Sequence, residues 1–119
     1  MSNWAAYAAD TIAAVATPPG MGGIAVVRVS GPDARQVADR VFRPVRGNRS
    51  GGSALERRPG WRAVYGRVYD SSGKFIDEAI MLSMPGPASY TREDVVELSC
   101  HGGTAVVRSV LRAVLDAGA

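Results

Sequence analysis

Apolar residues recur at two different periods along this 119-residue chain, and each change of period marks a new element. The run Thr11-Ile12-Ala13-Ala14-Val15-Ala16-Thr17 reads as a first strand, stopped by Pro18-Pro19-Gly20. Ile24 to Ser30 reads as a second, with Val27 and Val29 on the face opposite Val26 and Arg28. Gly31-Pro32-Asp33 then opens a helix: Ser30 or Gly31 suits its cap, Pro32 its first turn and Asp33 its dipole. Ala34, Val37, Ala38, Val41 and Phe42 form its apolar stripe, and Pro44 ends it. Arg62 to Tyr69 and Phe75 to Met84 read as two strands joined by the turn Asp70-Ser71-Ser72-Gly73. After the stop at Pro85-Gly86-Pro87, Asp94 to Cys100 is a fifth strand. Gly102-Gly103-Thr104 leads into a last helix with Val106, Val107, Val110, Leu111, Val114 and Leu115 on one face. Arg108 and Arg112 sit on its other side. The order β-β-α-β-β-β-α, with a hairpin in the middle, predicts an α+β fold: a mixed five-stranded sheet with two or three helices.

Composition narrows the class. At 46% hydrophobic residues the chain is an ordinary globular one, long enough for one domain with its own core. Its single cysteine, Cys100, gives no internal disulfide, which points to a cytoplasmic setting. No apolar run approaches the roughly 20 residues that span a bilayer, and Met1 to Ala9 lacks the pattern of a signal peptide. The net charge of +3 is unevenly placed: residues 43–62 hold six arginines against Glu56, a local +5, leaving −2 elsewhere. That stretch is rich in Gly, Ser and Pro and reads as a basic flexible loop, solvated or touching a polyanion such as RNA.

The glycines Gly20, Gly22 and Gly23 invite a nucleotide-binding reading, but a strand follows them, whereas a dinucleotide fingerprint opens a helix. No phosphate-loop motif occurs, and the only lysine is Lys74. His101 adjoins Cys100, and neighbours on a strand face opposite ways, so they do not make a nucleophile–base pair. His101 is either a locally bonded turn residue or a ligand contact. The adjacent acids Asp77–Glu78 and Glu93–Asp94 read as solvated residues. Arg28 and Glu97 are different, because each is one charge in an otherwise apolar strand. Such charges must be paired or face a ligand. Either they bond to each other, or they hold a polar heterocycle, the carboxylate accepting N–H bonds and the guanidinium holding an oxygen.

Two ordered segments carry a resemblance. Asp10 to Ile12 with Ala16 to Gly31, and Pro85 to Gly103 with its Ser-Tyr-Thr-Arg-Glu-Asp and His-Gly-Gly, resemble the N-terminal domain of the tRNA modification GTPase family MnmE/TrmE. Met21 and Arg92 depart from that pattern. The resemblance implies a fold like the folate-binding domain of glycine-cleavage aminomethyltransferases. It also implies binding of a 5-formyltetrahydrofolate-type carrier through Arg28 and Glu97, and homodimer formation. Gly22, Gly23, His101, Gly102 and Gly103 would then be pocket walls or dimer contacts. Family members act in the cytoplasm, without membrane contact, with the flavoprotein MnmG (GidA) on the wobble uridine of tRNA. Their helical domain and GTPase domain, with GTP, magnesium and potassium, are expected outside residues 1–119, and the chain alone is expected to lack GTPase activity. Two other classes remain beside this one: a purely structural dimerisation module, and a stand-alone folate-dependent transferase, for which no nucleophile or acid/base set is in sight.

Overall fold

The computed structural model describes residues 10–17, 23–45, 60–89 and 91–119. Six strands and two helices follow in the order β1 (Ile12–Val15), β2 (Ile24–Ser30), α1 (Ala34–Val41), β3 (Phe42–Pro44), β4 (Arg62–Tyr69), β5 (Phe75–Met84), β6 (Val95–His101) and α2 (Thr104–Asp116). They form one sheet in the order β1-β2-β6-β5-β4-β3, and every neighbouring pair is antiparallel.

This overturns the mixed five-stranded sheet expected from the sequence. The described residues hold two helices and six strands. The sixth strand is β3, which the helical stripe had absorbed through Phe42. Pro44 explains the difference: the residue before a proline avoids helical torsions, and a proline lacks the N–H a central strand would need. The chain therefore leaves α1 extended, as a three-residue edge strand against β4, with Phe42 opposite Val68. Antiparallel pairing throughout follows from where β6 lands. It inserts between β2 and β5 and runs against both.

Both helices cover one face of the sheet. Val27, Val29, Met81, Val96 and Leu98 point into them and meet Val37, Val41, Val110 and Val114, all buried. Leu115, counted in the apolar face from its spacing, is exposed. The start of α1 is held from outside: the Thr11 hydroxyl accepts a 3.0 Å bond from the Asp33 N–H, and Asp33 offers no side-chain cap of its own. The hairpin turn is pinned by Asp70, whose carboxylate accepts bonds from the Ser72 hydroxyl and the Ser72 and Lys74 N–H groups.

Among the described residues, no helix lies on the other face. Residues directly opposite in antiparallel strands share a face, so the register lays out its rows. Arg28, Glu97, Leu82 and Ala63 form one row, and Val26, Ser99, Ile80 and Tyr65 the next. Ile24 and His101 follow. Ile12, Ile24, Tyr65 and Ile80 are all more than half exposed on this face. Its opposite end, with Ser30, Val95 and Met84, is buried. There the loop 85–94 folds back: Thr91 Oγ1 and Glu93 Oε1 bond the Ser30 hydroxyl at 2.8 and 3.2 Å. Trp61 fastens the same loop, its indole N–H donating to the Ala88 carbonyl at 2.6 Å.

Candidate functional site

Arg28 and Glu97 stand opposite each other in the β2–β6 register, one row from the roofed end of the open face. Both contacts between them fall on one oxygen: Arg28 Nε and Nη2 lie 2.8 and 2.7 Å from Glu97 Oε2. Glu97 Oε1 takes part in neither contact. The two side chains are about one-third and one-fifth exposed, so solvent screens the pair only in part. The salt-bridge alternative is thus formed.

The two glycine-flanked segments meet at the far end of the same strand pair. The Gly102 N–H donates to the Gly23 carbonyl at 3.3 Å. A Cβ at Gly23 or Gly103 would meet no described residue within 4 Å, so none of them requires glycine there by close approach. Gly22 and residues 46–59 of the basic loop lie outside the described residues.

His101 is held by an acid that the sequence did not single out. Its Nδ1 lies 2.8 and 2.9 Å from the two oxygens of Asp77, whose carboxylate also accepts the His101 backbone N–H at 2.9 Å. Burial pushes the Asp77 carboxyl up, but these hydrogen bonds outweigh it and hold its pKa below the ordinary range. An ionised carboxylate can only accept, so Nδ1 carries the proton, on a side chain that is largely exposed. The hydrogen bond to Asp77, reinforced by its charge, raises the His101 pKa. The reading of Asp77 as solvated is corrected: its side chain is only 14% exposed. Strand alternation was the missed signal, since adjacent acids within β5 must face opposite ways. Glu78, on the open face, accepts the Tyr65 hydroxyl proton at 2.8–2.9 Å.

Cys100 turns to the core, as expected from alternation. Its thiol lies 3.5 Å from the Ala25 carbonyl, and burial raises its pKa. A separate groove of about 820 Å³ runs between α2 and the β4–β5 hairpin, past Lys74, Arg108 and Arg112. It includes neither Arg28 nor Glu97, so volume and chemistry point to different places. We favour the chemistry, because charges set into an apolar strand need a purpose that exposed arginines on a helix do not.

Known proteins bear on the same segments. Residues 11–119 match the family model described as GTP-binding protein TrmE N-terminus. Curated relatives called tRNA modification GTPase MnmE are 53% identical over 110 residues in Chloroflexus aurantiacus and 54% over 110 in Symbiobacterium thermophilum. A third, from Geobacter sulfurreducens, is 50% identical over 114 residues. These alignments cover 92–95% of this chain and 23% of each relative, so the chain spans about a quarter of their length. With all but its first ten residues matched, the chain belongs to the TrmE N-terminus family.

Proposed function

We propose that this chain is the folate-binding and self-pairing unit of a tRNA modification GTPase acting in the cytoplasm with MnmG on tRNA. One observation carries the reading: a charge pair set into an apolar sheet face, with both of its contacts on Glu97 Oε2 and Oε1 outside them. A reduced pteridine presents a ring N–H and an exocyclic amine side by side, the edge a carboxylate accepts. Arg28 then supplies donors to the neighbouring ring oxygen. Leu82 beside Glu97, and the loop over Ser30, shield these bonds from water and strengthen them.

Calorimetric titration with 5-formyltetrahydrofolate tests the ligand. Saturable binding is expected, weakened at least about tenfold by Glu97→Gln, which keeps the shape but loses the charge; a hydrogen bond to a charged group is worth roughly 1.5–3 kcal/mol. No heat at millimolar ligand would sink the folate half.

Self-pairing is supported by the exposed Ile12, Ile24, Tyr65 and Ile80 on one face, where covering apolar area contributes about 25 cal/mol per Å². Sedimentation should show the mass approaching twice that of one chain as concentration rises. A monomer at every concentration contradicts that half, whereas a dimer indifferent to folate would be the structural module alone.

A further inference from the structure

Arg43 and Arg67 stand directly opposite each other in the β3–β4 register, at the margin of the sheet farthest from β1. Their neighbours Phe42 and Val68 are buried in the core, so alternation turns both arginines to the face away from it, and both are exposed. Like charges set about 5 Å apart at Cβ weaken the pairing of two strands, and β3 has only three residues to pair. Among the described residues neither arginine forms an ion pair. Glu78 lies opposite Arg67 from β5, but both its oxygens bond the Tyr65 hydroxyl. Asp70, in the turn after β4, is taken up by Ser72 and the Lys74 N–H. The chain that joins β3 to β4 adds Arg46, Arg49, Arg57 and Arg58 against Glu56. Charge of one sign is thus gathered where it weakens the sheet.

Arg43 also has a flat partner. Its Cζ lies over the Tyr69 ring, 5.7 Å from the centroid, and that ring meets Phe75 edge-on at 6.0 Å. A guanidinium stacked on a ring has a second plane, and unpaired bases stack on such planes. Arg67, in the same row, supplies donors for a phosphate oxygen.

We infer that Arg43, Arg67 and Tyr69 form a contact for a single-stranded polynucleotide, with a base on the Arg43 guanidinium and a phosphate on Arg67. A phosphate alone needs no aromatic backing, and a duplex hides its base faces, so the stacked guanidinium selects a single strand. The contact stands on this arginine row and does not need the folate reading.

Fluorescence anisotropy with a short labelled RNA lacking self-complementarity tests it over a range of salt. Affinity should fall as salt rises, and Arg67→Gln should shrink the slope of log affinity against log salt by about 0.7, the share of one phosphate. Arg43→Gln should weaken binding at least about fivefold, the low end of what one stacked base contributes. The same substitution should cost a duplex of that sequence much less. Arg112→Gln removes an equal charge from α2 and should change neither slope nor affinity. Urea midpoints of Arg43→Gln and Arg67→Gln should match or exceed that of the unaltered chain, since each relieves the repulsion, so weaker binding would not come from misfolding. No binding at low salt, binding untouched by both substitutions, or an equal change at Arg112 overturns the contact. An equal loss for duplex and single strand overturns the stacking and with it the choice of a single strand.

Discussion

Leu98→Ala should lower the unfolding free energy by about 3 kcal/mol, within the roughly 2–5 found for buried leucine truncations. Leu98 is fully buried at the middle of β6, with Val27 of β2 and Met81 of β5 directly opposite it on either side. Both neighbours are fixed by their own ladders, so the backbone cannot close over the space. Only the Met81 side chain is supple enough to fill part of it. A domain of this size is stable by roughly 5–15 kcal/mol, so one side chain removes a large share. The measurement is a urea titration: the midpoint should fall while the slope stays the same. A loss under about 1 kcal/mol would show that the helices do not press on this strand as described.

Gly31→Ala should cost a similar amount, about 3 kcal/mol, by another route. Gly31 has φ of +142°, a torsion that residues with a side chain rarely adopt. A methyl there would also lie 2.5 Å from Thr11 Cα and 2.7 Å from the Asp10 carbonyl oxygen. Strain of roughly 1–3 kcal/mol and overpacking of roughly 1–3 kcal/mol both act. Since Thr11 also receives the Asp33 N–H, displacing it loosens β1 and the first turn of α1 together. Hydrogen exchange should quicken at Asp33 and along β1. Gly73→Ala is the control: φ is +86° but nothing lies within 4 Å, so only the torsional cost of about 1 kcal/mol remains. Equal losses at the two glycines would mean that the contact with Thr11 is not what matters.

Much of the fold was legible in the chain because strand periodicity is local. Ile24–Ser30, Arg62–Tyr69 and Phe75–Met84 have the bounds that alternation predicts, and β6 is shifted by one residue. Partners were not legible, since nothing local to β6 says that it inserts between β2 and β5. The short β3 was hidden because Phe42 fits a helical stripe and an extended edge equally well, and only Pro44 decides. In the candidate site, Arg28 and Glu97 stood out as charges in apolar runs. Their pairing needed the β2–β6 register, which a sequence does not print. Asp77 was missed by judging an acid from its sequence neighbour, where its place in a strand was the better guide.

The position of β6 also governs how the molecule comes into being. Before Val95–His101 has been synthesised, β1-β2 on one side and β3-β4-β5 on the other share no ladder. Each half ends in an unsatisfied central edge, β2 in one and β5 in the other, with rows of free N–H and C=O groups open to wrong partners. Sheets closed by such distant pairings form slowly, because the loop must be ordered before its contacts reward it. One late strand therefore joins the halves and, in the same event, brings Glu97 and His101 to their places. A nascent chain has either both the joined sheet and the Arg28–Glu97 pair, or neither.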